Sequence, residues 1–330
     1  MLPKRQGSIS RRGWLRSAMG AAAYLTVPRR VVARPYSTVP QTPNCRVIVD
    51  NDFAGDPDAL IALAHQLLSP KSLVPLITCS PLPANFRGAV PEGVTAARGV
   101  EIVREMIGIA GLPSRPALPI VAGSETFDPA TNRVSAAARA IVDEAMRVDE
   151  RPLYLSCGGP LTNVAAALRL EPAIAHRVTV IWIGGGDYPK GGWEYNLATD
   201  VDAARHVIEH TMVPLWQVPQ GTYRQMQVSV AELRVRLRAA SPLGQWLYSR
   251  FTTPPDFVDI GGAWPMGDSP PVLFTAISQE SSRSVVRPAR TILDNHTYGG
   301  ALPQREIKVF DNVDVRLTVE DFFAKLQIDS

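Results

Sequence analysis

From residue 46 onward, short apolar runs alternate with longer segments whose apolar residues recur at helical spacing. The apolar runs predict strands and the periodic segments predict helices. The predicted strands are 46–49, 72–78, 119–122, 153–156, 178–183 and 213–217. The predicted helices are 58–68, 94–109, 135–146, 161–170 and 201–209. This alternation is typical of βαβ units, so we expect one α/β domain with a mainly parallel central sheet and helices on both faces.

An acidic segment follows the first predicted strand. Asp50, Asp52, Asp56 and Asp58 place four carboxylates within nine residues. Like charges this close repel, and burial raises the pKa of a carboxyl unless a cation compensates. Ligands of parallel sheets bind beyond the carboxyl ends of the strands. The segment therefore favours a divalent cation there, and Ca²⁺ tolerates irregular loop geometry better than Mg²⁺ does. The alternative is an acidic cap on a solvated loop.

The basic residues of the chain are concentrated at its N-terminus. The chain carries 34 Lys and Arg against 31 Asp and Glu, and residues 1–33 hold seven of the basic residues and no acid. The pair Arg11-Arg12 precedes the weakly apolar segment 19–25, and small residues end at Ala33. This pattern resembles a twin-arginine export signal, with a basic arm or a transit peptide as alternatives. Residues 34–44 then form a Pro/Ser/Thr-rich linker before a domain spanning 45–330.

Cleavage of such a signal changes the charge of the protein. Residues 34–330 carry 27 basic and 31 acidic side chains, a net charge of −4, so we expect no nucleic-acid partner. A transmembrane helix needs about 18 consecutive apolar residues, and the sequence has no such run. We therefore expect a periplasmic or secreted protein with no stable membrane insertion after cleavage. Three cysteines, Cys45, Cys79 and Cys157, lack metal-ligand spacing and are expected to be buried thiols.

Four segments together resemble the calcium-dependent, inosine-uridine-preferring nucleoside hydrolases. The acidic segment DNDFAGDPDA at 50–59 is similar to the family's D-x-D-P-G-x-D-D-A. The segment LSCGGPLTNVA at 155–165 is similar to its T-G-P-L-T-N run. IGGG at 183–186, with EYN at 194–196 and Asp200, resembles its M-G-G-G…E-F-N…D stretch. MGDSP at 266–270 resembles its late aspartate motif. Each segment alone is weak, but four in the same order across nearly the whole domain are specific.

The resemblance implies a nucleoside hydrolase-like fold that cleaves the N-glycosidic bond of ribonucleosides or related N-ribosides. It implies four Ca²⁺ ligands: Asp52, Asp58, the carbonyl oxygen of Gly158, and Asp268. It implies four groups for the sugar: Asp56, Glu194, Asn196 and Asn85. Asp52 would also act as the general base toward a Ca²⁺-bound water, and Asp50 would orient the ligands from behind. Family members commonly form homo-oligomers, which is therefore an expectation here.

The sequence departs from the family pattern in two places. Asp52 and Asp58 are six positions apart, where the family has five, and Pro57 stands where the family has an acid. Gly267 stands where some members carry a histidine close to the departing base, and no other histidine fills that place. Trp193, Tyr223 and Trp264 are candidates either for stacking on a base or for ordinary packing.

Two other functions remain open from the sequence. The missing histidine favours an exported nucleoside- or ribose-binding protein that keeps the metal site without turnover, whereas retention of Asp52 favours an enzyme. A metal-dependent phosphohydrolase is a further alternative because Asp50-x-Asp52 follows a strand, although the chain offers no suitable catalytic lysine.

Overall fold

The central sheet follows from the apolar runs of the sequence. In the computed structural model, which describes residues 41–86, 88, 90–110, 118–253 and 261–328, eight strands form this sheet in the order β3-β2-β1-β4-β5-β6-β10-β9. The strands are β1 (Cys45–Asn51), β2 (Ser72–Cys79), β3 (Ile120–Ala122), β4 (Leu153–Cys157), β5 (Thr179–Ile183), β6 (Leu215–Val218), β9 (Arg283–Ile292) and β10 (Tyr298–Asn312). Only the β9–β10 pair of this sheet is antiparallel. A separate antiparallel pair consists of β7 (Gln227–Ser229) and β8 (Ala263–Pro265).

Helices cover both faces of the sheet. The longer helices are α1 (Asp58–Leu67), α2 (Thr95–Ala110), α4 (Ala136–Met146), α5 (Thr162–Leu170), α7 (Val201–Glu209), α10 (Pro242–Phe251) and α12 (Val315–Ile328). The shorter ones are α3 (Pro129–Asn132), α6 (Tyr195–Thr199), α8 (Gln220–Tyr223), α9 (Val230–Glu232) and α11 (Pro270–Val272). Short 3-10 turns lie at Ala84–Phe86 and Pro172–His176, and π-helical turns at Leu233–Leu237 and Leu273–Ile277. None of the helices in the described ranges has the length and apolar character needed to cross a membrane.

Strand β1 lies in the middle of the sheet and is buried along its whole length. Its side chains alternate between two apolar clusters, with Val47 and Val49 in one and Ile48 in the other. Burial on both faces is what a parallel sheet covered by helices requires. The predicted α/β domain with a mainly parallel sheet is thus confirmed, and the elements predicted up to residue 217 are present within a few residues of their expected ends.

The predicted export signal at 1–33 and residues 34–40 of the predicted linker lie outside the described residues. The hairpin of β9 and β10 and the final helix α12 were not predicted. Within β9, buried and exposed positions do not alternate regularly, and arginines recur along the strand. A strand at the edge of a sheet is covered on fewer sides, so it lacks the continuous apolar run that marks a central strand.

The parallel strands bring their carboxyl ends to one edge of the sheet. Asp50 near the end of β1 pairs with Cys157 at the end of β4, and Ile183 at the end of β5 pairs with Val218 at the end of β6. The loops that follow these strands contain the acidic segment and the glycine-rich segments of the sequence. The fold therefore gathers the candidate residues from positions far apart in the chain.

Candidate active site

A cavity of about 450 Å³ opens at the carboxyl edge of the sheet. Its floor contains four carboxylates and two glycines: Asp52, Asp56, Asp58, Asp268, Gly158 and Gly267. One wall comes from the segment around α6 with Phe86 and Ile183, and contains Trp193, Glu194, Tyr195 and Asn196. A second wall comes from α8, β7 and β8, and contains Gln220, Tyr223, Arg224, Gln227, Ala263, Trp264 and Pro265. The volume suits a ligand of nucleoside size.

Asn51 connects the two ends of the acidic floor. Its amide nitrogen donates a 2.8 Å hydrogen bond to Oδ2 of Asp268, and its amide oxygen accepts one of 2.9 Å from the backbone N–H of Asp52. The sequence reasoning missed Asn51. The available signal was its place between two acids in Asp50-Asn51-Asp52, where an amide can donate to carboxylates that otherwise repel each other.

Burial disfavours the ionised form of the floor carboxyls. It raises the pKa of Asp52 to about 7, and the charges of Asp58 and Asp50 add to the effect. Burial also raises the pKa of Asp58 to about 6. The pKa values of Asp56 and Asp268 are raised by burial first and by the charge of Asp58 second. A positive charge beside the four carboxyls would therefore favour their ionisation at neutral pH.

The carboxylate and carbonyl oxygens of the floor are the kinds of ligand that a hard divalent cation takes. Two of the floor acids lie against the floor glycines: a Cβ added at Gly158 would lie 2.8 Å from Oδ2 of Asp268, and one added at Gly267 would lie 3.2 Å from Oδ2 of Asp58. Carboxylate and carbonyl oxygens are the ligands that Ca²⁺ takes. Within the described ranges, however, no three His, Cys, Asp or Glu side chains are already arranged to hold a metal ion. The fit thus lies in the donor chemistry, and the identity of the ion remains a proposal.

The carbonyl oxygen of Gly158, the fourth predicted ligand, faces the same region. It accepts a 2.7 Å hydrogen bond from Nδ2 of Asn196, and a carbonyl oxygen keeps a second lone pair for another partner. The same Asn196 nitrogen donates to the carbonyl of Ile183 at 2.8 Å. The amide oxygen of Asn196 is buried and has no hydrogen-bond partner among the described residues. A buried acceptor in this state is an available site for a ligand hydroxyl.

Asp50 lies behind the floor and is fully buried. Its carboxylate accepts hydrogen bonds from the hydroxyl of Thr78 at 2.5 Å, the hydroxyl of Ser80 at 3.1 Å and Nδ2 of Asn163 at 2.8 Å. It does not line the cavity. This location agrees with an orienting role for Asp50, and it gives Asn163 a definite partner.

Glu194 is fully buried and begins helix α6. Its two carboxylate oxygens accept from the backbone N–H groups of Gly185, Asn196 and Leu197, at distances of 2.7 to 3.2 Å, and from the hydroxyl of Tyr223 at 2.9 Å. This capping fixes the start of α6 and therefore the position of Asn196 in the cavity wall. Asn85, in contrast, is exposed in the 3-10 turn after β2 and does not line the cavity.

Tyr195 was also missed by the sequence reasoning. Its hydroxyl donates a 3.2 Å hydrogen bond to Oδ2 of Asp52, and its ring meets Phe86 edge to face at 4.9 Å. The family motif has phenylalanine at this position, so the hydroxyl is a feature of this chain. The departure from E-F-N to Glu194-Tyr195-Asn196 was the signal in the sequence.

An aromatic ring lies against Gly267, where some family members carry a histidine. A Cβ added at Gly267 would lie 3.1 Å from Cδ2 of Tyr223. A side chain at position 267 would therefore require the Tyr223 ring to move by a few tenths of an ångström. Trp193, Tyr223 and Trp264 all line the cavity, and Trp193 is 53% exposed at its mouth.

Comparisons with known proteins agree with this geometry. The model of the family "Inosine-uridine preferring nucleoside hydrolase" matches residues 47–317. An inosine-uridine preferring nucleoside hydrolase of Crithidia fasciculata is 27% identical over 190 residues, which are 52% of this chain and 58% of that protein. A pyrimidine-specific ribonucleoside hydrolase of Escherichia coli is 31% identical over 144 residues, 41% of this chain and 45% of that protein. The chain spans about half the length of the curated relatives it matches.

Solved structures with the same fold include a plant nucleoside hydrolase and a purine-preferring ribonucleoside hydrolase from Gardnerella vaginalis. The plant structure has a TM-score of 0.65 at 18% identity and covers 86% of this chain and 99% of its own. The Gardnerella structure has a TM-score of 0.64 at 18% identity and covers 86% and 98%. At this identity the likeness concerns the fold. Since the family model extends over most of the chain, including most of β1 and the acidic floor, this protein belongs to the inosine-uridine preferring nucleoside hydrolase family.

Proposed function

We propose that this protein hydrolyses the N-glycosidic bond of ribonucleosides or related N-ribosides to free base and ribose. The observation that carries the proposal is the convergence of Asp52, Asp56, Asp58 and Asp268 on the floor of a cavity of about 450 Å³. Glycosidic cleavage passes through a transition state with positive charge on the sugar ring. An anionic floor stabilises that charge where it develops.

Asp52 is the proposed general base. Its Oδ2 atom accepts a hydrogen bond from the hydroxyl of Tyr195. Oδ1 is then left to take a proton from the water that attacks the anomeric carbon. A Ca²⁺ held by Asp52, Asp58, Asp268 and the Gly158 carbonyl would supply positive charge that keeps these carboxylates ionised and makes a nearby water more acidic. Asn51 holds Asp52 and Asp268 in position through its two hydrogen bonds, and Asp50 is proposed to orient the site from behind, where it is bonded to Thr78, Ser80 and Asn163.

The sugar is proposed to bind between the floor and the α6 wall. Asn196 offers its unpartnered amide oxygen to a sugar hydroxyl, and the half-buried Asp56 offers a carboxylate from the floor. Glu194 contributes chiefly by fixing Asn196, because its own oxygens already accept four hydrogen bonds. This division of roles refines the expectation that both residues bind hydroxyls directly.

The test is base release by purified protein from a panel of purine and pyrimidine nucleosides, measured by chromatography. We expect release from at least one substrate, its loss with a chelator and its return with added Ca²⁺. Asp52→Asn should lower kcat at least 100-fold, in keeping with removal of a general base. Asp294→Asn is the matched control, because that carboxylate is 98% exposed and lies on the surface.

Two outcomes would redirect the proposal. Saturable nucleoside binding without turnover across the panel would favour the exported binding protein. Release of phosphate from nucleotides without any need for Ca²⁺ would favour a phosphohydrolase and contradict both other functions.

We further propose that the protein is exported by the twin-arginine route to the periplasm or the exterior. The support is in residues 1–33, where seven basic residues, a paired arginine and a short apolar segment occur without a single acid. The net charge of −4 on residues 34–330 agrees with removal of a functionally separate basic leader.

A further inference from the structure

The cavity has opposite charges on its floor and on one wall. Four carboxylates form the floor, whereas Arg224 is the one Lys, Arg or His side chain among the described residues that line the cavity. Arg224 follows helix α8 and is exposed. None of the ion pairs between described residues uses its guanidinium group. Its charge is therefore available to a ligand.

The following inference rests on the proposed function. If the sugar lies against the floor and Asn196, the base must occupy the rest of the cavity, along the wall that contains Gln220, Tyr223, Arg224 and Trp264. The transition state for glycosidic cleavage has the same polarity as the cavity. Positive charge develops on the sugar, near the acids, and negative charge develops on the departing base, near the arginine.

Among the described residues of this wall, Tyr223 is the one whose hydroxyl could protonate the base. Gly267 has no side chain to donate a proton, and the Tyr223 ring lies against it. The Tyr223 hydroxyl donates its hydrogen to Oε1 of Glu194 at 2.9 Å. Burial, followed by the charge of Glu194, raises the pKa of Tyr223 well above its usual value, and the nearby charge of Arg224 opposes this shift. Tyr223 therefore keeps its proton, and Arg224, the next residue along the chain, lines the same cavity.

We propose that Arg224 stabilises the departing base as an anion and so replaces the acid that would otherwise protonate it. The bond between the anomeric carbon and the base nitrogen breaks, and its electron pair leaves with the base. The oxygen of water forms the new bond to the anomeric carbon, and Asp52 takes the proton of that water. The base anion pairs with the guanidinium group and takes a proton from solvent after release, while Asp52 returns its proton to solvent.

The test compares leaving groups that differ in their need for stabilisation. Uridine and inosine release bases whose ring N–H is weakly acidic, so their anions need stabilisation. 4-Nitrophenyl β-D-ribofuranoside instead releases a phenolate that is stable near neutral pH. Arg224→Met should lower kcat on the nucleosides about 10- to 100-fold, the range expected for loss of a charge-assisted contact. On the nitrophenyl riboside the same variant should lose less than about threefold. Arg224→Lys should recover most of the nucleoside activity.

The control is Arg234→Met, which removes an exposed arginine that does not line the cavity. An equal loss on nucleosides and on the nitrophenyl riboside would overturn the inference, as would unchanged nucleoside activity in Arg224→Met. Both results would leave the proposed hydrolase function intact, because the wild-type protein would still release base. A wild-type protein that cleaves neither kind of riboside would overturn the proposed function and this inference together.

Discussion

Replacing Gly158 by alanine tests the contact that closes the floor of the cavity. The new Cβ would lie 2.2 Å from Nδ2 of Asn51 and 2.8 Å from Oδ2 of Asp268, distances that real Cβ atoms essentially never show. These two atoms are the donor and acceptor of the hydrogen bond that joins β1 to the loop after β8. The substitution must therefore break this bond or move the backbone of Gly158.

The expected cost combines two effects. A buried hydrogen bond to a carboxylate contributes about 1.5 to 3 kcal/mol. Forcing a methyl group into a packed site costs about 1 to 3 kcal/mol. We therefore expect Gly158→Ala to lower the free energy of unfolding by about 4 kcal/mol. Gly108→Ala is the matched control: its Cβ meets nothing within 4 Å on the exposed side of α2, so it should raise that free energy by about 0.5 to 1 kcal/mol.

The assay is urea unfolding followed by circular dichroism, with chelator and with Ca²⁺. A cost below about 1 kcal/mol for Gly158→Ala would refute the reasoning, because it would mean that the close contacts are relieved without loss. A second variant separates the causes. Adding Asn51→Ala to Gly158→Ala removes the nearest clashing atom, so the double variant should be more stable than the sum of the two single costs predicts.

Three further predictions concern the ion, the pH and export. Because burial raises the pKa of Asp52 to about 7, the folded protein binds this proton more tightly than the unfolded chain does. Calcium-free protein should therefore lose stability as the pH rises from about 4 to about 7. Melting temperatures measured with and without Ca²⁺ should diverge over that range, and melting temperatures that stay parallel would contradict the prediction. Asp268→Ala should lower bound calcium at least tenfold by equilibrium dialysis, and full occupancy would show that Asp268 is not a ligand. Changing Arg11 and Arg12 together to lysine should retain the protein in the cytoplasm on cell fractionation, and unchanged export would exclude the twin-arginine route.

The sequence predicted the part of the fold in which local pattern and tertiary environment agree. Strands such as β1 and β5 are buried on both faces, so their apolar runs are continuous and easy to recognise. The hairpin of β9 and β10 lies at the edge of the sheet, where Pro288 and three arginines interrupt any apolar run in β9. Its strand character depends on pairing with β10, which is a property of the assembled sheet.

The candidate site divides in the same way. Asp52 and Asp58 were predicted from one acidic segment, and Asp268 from a resemblance far along the chain. Asn51 and Tyr195 were not predicted, because their importance lies in hydrogen bonds to partners 217 and 143 positions away. No local pattern encodes such a partner. The departures from the family motif were visible in the sequence, but only the structure shows what occupies the space above Gly267.

The hydrogen bond between Asn51 and Asp268 would also link the proposed ion binding to the integrity of the whole domain. One partner belongs to the central strand and the other to a loop that the chain reaches 217 residues later. An ion held across this contact would be released when either region unfolds. Its binding would therefore raise the free energy of unfolding of the whole domain. Each tenfold rise in free ion above the dissociation constant then adds about 1.4 kcal/mol to the stability of the protein. The concentration of the ion in its surroundings would thus set the fraction of the protein that is folded as well as the charge of its floor.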